Sequence, residues 1–189
     1  MNYRDITAIQ PGPLLLLVLC CSFNACLAGN LGIEAQVRQY SGDGTIYNCS
    51  ILFSPGYRIE FPKFSSSKPY EASYRLSYVP PTGRWPAVIY LRFFQQDFIR
   101  ARARKDSVTA RFRIALYDTK GQVLHSGEFQ LSNATWTENQ RLFGIYDLGK
   151  SYLRFERNAS YILKVSYTPG AVPPPADELY FSVENGCAK

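Results

Sequence analysis

One histidine, one methionine and two tryptophans occur in 189 residues, and these shortages exclude more chemistry than any motif supplies. With His125 alone, a multi-histidine metal site cannot form, and a Ser-His-Asp site would have to use His125 itself as its base. Ser126 is its neighbour in a strand, so it points to the opposite face and cannot be the nucleophile for it. Neither Cys49 nor Cys187 has a second cysteine or a histidine at ligand spacing, which argues against thioredoxin-like and zinc roles. Calcium loops, glycine-rich phosphate loops and nucleophile elbows are all lacking. Acidic residues such as Glu60, Glu71, Asp97, Glu128 and Glu156 are scattered and show no paired-carboxylate pattern of the glycosidase kind. No metal ligand set, no cofactor and no enzyme activity is expected.

Long apolar runs are scarce too. The one present, Leu14 to Phe23, falls short of the roughly 20 residues that a membrane helix needs. It fits the apolar region of a signal peptide. Two processing outcomes are open. Cys26-Leu27-Ala28 before Gly29 offers small residues for ordinary cleavage, giving a signal peptide 1–28 and one domain over 29–189. Alternatively, Phe23-Asn24-Ala25-Cys26 reads as a lipobox, with a lipoprotein signal 1–25 and Cys26 acylated. Either way the mature chain is expected outside the cytoplasm, in the periplasm or otherwise exported, with an outer-membrane lipid anchor as one form.

Once that leader is gone, Cys49 and Cys187 are the only thiols of the folded body, and in an oxidising compartment they are expected to pair. Loss of Arg4 with Asp5 leaves 20 basic and 14 acidic residues, so the net charge of +6 belongs to the domain. A basic surface outside the cell points to anionic partners rather than to nucleic acid.

What the chain does hold is alternation. Val108, Ala110, Phe112, Ile114 and Leu116 fall on one side of an extended chain, and Thr109, Arg111, Arg113 and Tyr117 on the other. Asp118-Thr119-Lys120-Gly121 then supplies a turn before Gln122, Val123 and Leu124 resume, which reads as a hairpin. Further strands are expected around 47–53, 57–61, 70–79, 87–94, 141–148, 161–167 and 179–184. Breaks fall at Ser54-Pro55-Gly56, Ser65-Ser66-Ser67, Pro80-Pro81-Thr82-Gly83 and Pro169 to Pro175. The fold class that follows is all-β: a single antiparallel β-sandwich, immunoglobulin-like or jelly-roll-like, of about 8 or 9 strands.

Alternation fails between Phe93 and Asp106. That stretch reads either as a short helix, with Asp97 near its start and Arg104-Lys105 near its end, or as an extended basic comb. Both geometries gather Arg100, Arg102, Arg104 and Lys105, with Phe98 beside them, into a candidate partner-binding surface. Guanidinium groups suit bidentate pairing with carboxylates. Tyr40, Tyr47, Tyr57, Tyr70, Tyr74, Tyr78, Trp85 and Trp136 could form a sugar-stacking platform, although tyrosine in a sandwich is more often a half-buried strand residue. Asn48, Asn133 and Asn158 head glycosylation sequons that matter only in a eukaryotic host.

Lys68-Pro69-Tyr70 leading into a strand, then Tyr90-Leu91-Arg92-Phe93-Phe94, a basic Arg-x-Arg segment, Phe112 to Tyr117, Leu153 and Tyr161-Ile162-Leu163-Lys164-Val165 form a recognisable order. Over residues 68 to 184 the chain resembles small exported bacterial lipoprotein-like domains, some of which look like immunity proteins against toxins of type VI secretion. The resemblance implies a non-enzymatic domain that binds and neutralises a secreted effector toxin. A module for envelope glycan or anionic lipid is the alternative.

Overall fold

Period-two alternation gives a strand one face for the core and one for solvent, as in β2, β6 and β10. The computed structural model describes residues 31–49, 56–82, 86–94, 108–133, 135–139, 142–146, 153–174 and 176–187, with 94, 133, 135–139 and 142–146 as backbone only. These residues hold eleven strands: β1 (Thr45–Asn48), β2 (Tyr57–Glu60), β3 (Phe64–Ser65), β4 (Tyr70–Ser77), β5 (Val88–Phe94), β6 (Arg111–Asp118), β7 (Val123–Gln130), β8 (Thr135–Asn139), β9 (Leu142–Tyr146), β10 (Ser160–Thr168) and β11 (Glu178–Asn185). One sheet runs β1-β2-β11-β5-β9-β8, with β3 paired to the start of β11, and the other runs β4-β10-β6-β7. All pairings between these strands are antiparallel. The chain is the all-β sandwich that its alternation predicts. From β3 onward it changes sheet at every connection except the β6–β7 and β8–β9 hairpins.

Ile89, Leu91 and Phe93 of β5 and Leu179, Phe181 and Val183 of β11 face Phe112, Ile114 and Leu116 of β6 and Leu163, Val165 and Tyr167 of β10, all of them buried. Aromatic rings cross the seam: Phe61 stacks on Tyr74 at 4.1 Å, and Phe112 tilts against Phe181 at 6.3 Å. Each such side chain contributes about 1.5–3 kcal/mol by leaving water. Burial extends to tyrosines of β10. Tyr167 donates to the Ser66 carbonyl at 2.8 Å, and the Tyr161 oxygen accepts from the Glu156 amide at 2.8 Å. A buried phenol with an internal partner costs little, so the rings can go all the way in. Burial alone pushes the Tyr167 phenol up to about 12.

The predicted hairpin is built as its residues dictate. Asp118 Oδ1 accepts from the amides of Lys120 and Gln122 at 2.9 and 2.8 Å, and Gly121 takes φ +82°, a conformation that glycine adopts without steric cost. At the free edge of β4, Asp43 bonds Arg75 twice, through its amide and its carboxylate, each at 2.6 Å. That pairing blunts an edge that would otherwise invite another strand.

Some elements depart from the alternation. Residues 31–39, to which alternation assigns nothing, are helical, with Val37 packed on the core and Glu34 paired to Arg38 one turn on at 2.8 Å. β1 begins two residues ahead of the expected Tyr47, while 50–55 lie outside the described residues. β3 and β8 are additional strands, the latter arising where a sequon and Trp136 stood out. The leader with Cys26, and the segment 95–107 with Phe98, Arg100, Arg102, Arg104 and Lys105, also lie outside the described residues.

Two features tie the large sheet together. Cys49, just after β1, is bonded to Cys187, just after β11, with Cα atoms 5.4 Å apart and a sequence separation of 138. Between them β2 begins, and Gly56 runs so close to the backbone of Asn185 and Gly186 that a Cβ there would sit 2.5 Å from the Gly186 carbonyl carbon. On the outer face of the same sheet, Arg92 meets Glu184 at 2.6 Å while its Nε donates to Ser182 Oγ at 3.1 Å and its guanidinium lies 5.0 Å from the Tyr90 ring centroid. The Ser182 hydroxyl donates to Glu184 at 3.0 Å. Burial pushes the Glu184 carboxyl up, and Arg92 opposes that shift. The pair is therefore held by mutual need: neither charge has water to fall back on.

Replacing both Cys49 and Cys187 by alanine is expected to lower the unfolding free energy by up to about 5 kcal/mol on the chain-entropy account. Urea unfolding in the absence of reductant measures it, and an unchanged midpoint would mean the bridge constrains nothing. Arg92→Leu alone is expected to cost about 3–5 kcal/mol, and adding Glu184→Leu should restore much of that. Simple additivity of the two losses in a double-mutant cycle would show the charges to be uncoupled.

Candidate functional site

The four-stranded sheet turns its second face outward, and the register aligns that face in rows. Ser73, Lys164, Ala115 and Ser126 form one row across β4, β10, β6 and β7, and Glu71, Ser166, Arg113 and Glu128 form the next. Arg75 lies beyond the first row and Arg111 beyond the second. Small side chains at the middle of this face leave a shallow groove of about 450 Å³, bordered by Glu71, Arg113, Tyr117 and Lys164. Among the described residues the face carries four cations, Arg75, Arg111, Arg113 and Lys164, against two carboxylates, Glu71 and Glu128.

Its electrostatics are those of a wet surface. Arg113 reaches Glu128 across the β6–β7 pairing at 2.7 Å, and this hydrogen bond and charge hold the Glu128 carboxyl below its ordinary value, with Arg111 adding a smaller pull. Arg113 moves the opposite way for the same reason. Lys164 places its ammonium 4.9 Å from the Tyr117 ring centroid, which fixes one cation above the groove. Exposed pairs of this kind add little to stability. Nothing in the rows resembles an acid, a base and a nucleophile converging on one point.

Other residues singled out from the sequence separate in space. His125 faces inward beside Leu116 whereas the Ser126 side chain is on the outer face, as their adjacency predicts. Glu60 pairs with Arg58 at 3.0 Å on the large sheet, away from the strands that carry Glu71 and Glu128. Among the described residues the aromatic platform does not form: Tyr57 and Tyr74 are buried, Tyr40 and Tyr70 are partly buried against the core, and of the six tyrosines only Tyr47 and Tyr78 are exposed. Their apolar rings are worth more in the seam than in water. Trp85 lies outside the described residues, and Trp136 stands on β8 as backbone only. Among the described residues no cluster of three or more His, Cys, Asp or Glu side chains could hold a metal, and no helix is long and apolar enough to cross a membrane.

Arg111 and Arg113 were placed outward by alternation, but their role beside Arg75 and Lys164 was missed. Those two enter the same face only through the pairing of β10 with both β4 and β6, which alternation within a strand does not encode. The chain matches no protein-family model and no curated protein at a significant level.

In a carboxyl-resolved NMR titration, Glu128 is expected to ionise below the usual glutamate value of about 4.3, and Arg113→Ala should return it to that range. A folded-state value below the unfolded one means that whatever stability the pair adds is present above about pH 4.3 and lost as acid takes the pH down through the folded midpoint. A midpoint indifferent to Arg113→Ala would show that the two do not pair in solution.

Proposed function

We propose that the chain is an exported binding domain without catalytic chemistry, which holds an acidic protein surface against the open face of its four-stranded sheet. The observation that carries this reading is the excess of cations on a flat face floored by small residues. A sheet held from behind by a packed core loses little freedom when a partner lands on it, and opposite charge speeds and orients that landing. The net charge of +6 acts in the same direction over a longer range. The Cys49–Cys187 bridge supports an oxidising compartment such as the periplasm. Neutralisation of a secreted effector toxin, in the manner of a type VI immunity protein, is the concrete form of the reading and follows from the resemblance over residues 68 to 184. The basic segment Arg100 to Lys105, with Phe98, is a second candidate contact for the same partner.

Replacing Arg75, Arg111 and Lys164 together by glutamate is expected to weaken the complex with the protein partner captured by the tagged domain from its own cells by about tenfold or more, and more strongly at low salt. Calorimetry on purified components reads the change. Arg100→Glu with Arg102→Glu and Arg104→Glu gives a matched set for the second contact. Full affinity in the first triple variant would remove the sheet face from the interface, and loss of substrate from a cell-envelope preparation incubated with the protein would reverse the non-enzymatic reading.

A further inference from the structure

β7 is the last strand of the four-stranded sheet, and among the described residues nothing pairs with its outer edge. Hydrogen bonds at its two ends fix which groups that edge offers. The Leu131 amide donates to the Ala110 carbonyl at 3.0 Å and the Asp118 amide to the Gln122 carbonyl at 3.0 Å, so the even-numbered residues of β6 face β7. Phe129, Gly127 and His125 stand opposite them, and alternation along the ladder turns the amides and carbonyls of Ser126, Glu128 and Gln130 away from the sheet. The far edge of the same sheet is closed, because Ser41 and Asp43 bond Ser77 and Arg75 of β4. β7 has no such cover, no lysine and no proline, and its one charge, Glu128, is paired with Arg113. A register shift between Leu116 and Tyr117 disturbs only its start. From His125 to Gln130 the strand keeps none of the usual guards against a further strand.

This edge is complementary to itself. A two-fold axis through Gly127 sets Ser126 opposite the second copy's Glu128 on the outer face, and His125 opposite its Phe129 on the inner face. Ser126 and Glu128 then exchange backbone hydrogen bonds, twice by symmetry. The Ser126 hydroxyl also meets the Glu128 oxygen that Arg113, bonded to Oε2, leaves open. At the axis two glycines face each other, where neighbouring strands bring side chains closest. A Cβ on Gly127 would stand 2.5 Å from Phe129 Cζ, so in each copy the Phe129 ring already covers the gap. The two ends of the strand differ in charge. Arg111 stands opposite Gln130 at one end. At the other, Leu124 and His125 form the wall of a cavity of about 710 Å³, floored by Leu116, whose rim holds two carboxylates, Asp118 and Glu156, against one guanidinium, Arg154. Antiparallel pairing carries the cationic end of each copy to the anionic end of the other. We propose that β7 pairs edge to edge with β7 of a second copy, joining the two four-stranded sheets into one. The symmetry is closed, so assembly stops at the dimer. The proposal stands apart from the sheet-face reading, since the dimer leaves Arg75, Arg111 and Lys164 of both copies on its outer face.

Sedimentation equilibrium on the purified protein is expected to show a reversible monomer–dimer equilibrium, with hydrogen exchange at the Ser126 and Glu128 amides slowing as concentration rises. Position 126 is exposed and its amide points outward, the strand setting that admits proline. Ser126→Pro is therefore expected to keep the thermal midpoint and to weaken the dimer by about tenfold or more. A charge pair tests the register without touching the backbone. Ser126→Glu sets like charges opposite Glu128 at two symmetric places and is expected to weaken the dimer by about tenfold, whereas Ser126→Lys should leave it at least as tight. If proline lowers the thermal midpoint, the charge pair alone decides. A protein that stays monomeric at millimolar concentration overturns the proposal, as does a dimer indifferent to the sign of the charge at position 126. A monomer whose β7 amides gain protection only from an added foreign protein also overturns it, because the edge would then serve another strand.

Discussion

The dry seam between the two sheets is the constraint on which the rest depends. Phe112 and Phe181 touch across it, Phe61 stacks on Tyr74, and Leu91, Leu163 and Ile114 are sealed among them. Because each strand has only two faces, committing one to the seam fixes what the other can present. On β6 the choice that buries Phe112, Ile114 and Leu116 turns Arg111 and Arg113 to water. A slip of one residue would bury both guanidinium groups and expose three large apolar side chains, so the charged face is as firmly specified as the core.

The two sheets solve the problem of their outer faces differently. On β5 and β11 of the large sheet the outward Arg92, Ser182 and Glu184 are buried and satisfy one another. The small sheet leaves its cations in water, where they cost nothing to keep charged and remain available to a partner. Charge of the same kind is thus structural on one side of the molecule and solvated on the other. The cavity at the sandwich end is a third arrangement, polar at its rim and apolar beneath, with His125 Nε2 on its inner side as one of four buried polar atoms without a hydrogen-bond partner among the described residues.

Much of this was legible in the residues. The strands from Tyr57, Tyr70, Ala87, Arg111 and Tyr161 onward followed from alternation, the turn at Asp118 to Gly121 from its side chains, and the cysteine pair from arithmetic. The helix over 31–39 was harder, because its few apolar residues, Leu31, Ile33, Ala35 and Val37, fall at every second position and border a glycine-containing stretch that reads as loop. β3 is two residues long and is made by its pairing to β11 rather than by any pattern of its own. The charged face and the cavity escaped for a shared reason: Arg75 and Lys164, or His125 and Glu156, are brought together by sheet register and chain crossing, which a linear pattern does not carry. Tyrosine misled in the opposite direction: the Ser66 carbonyl takes the Tyr167 hydroxyl, and Tyr57 is fully buried with no partner for its own hydroxyl among the described residues.

The Cys49–Cys187 bond also decides how the domain would bear a load. Its two ends lie 138 positions apart in sequence yet side by side in space. Tension applied to the two chain termini would run from the leading segment into the bridge and out through the last few residues, bypassing every strand from β2 to β11. The sandwich would then act as a shielded body hung from a covalent shunt: a tether to an envelope could be pulled hard without drawing the sheets apart.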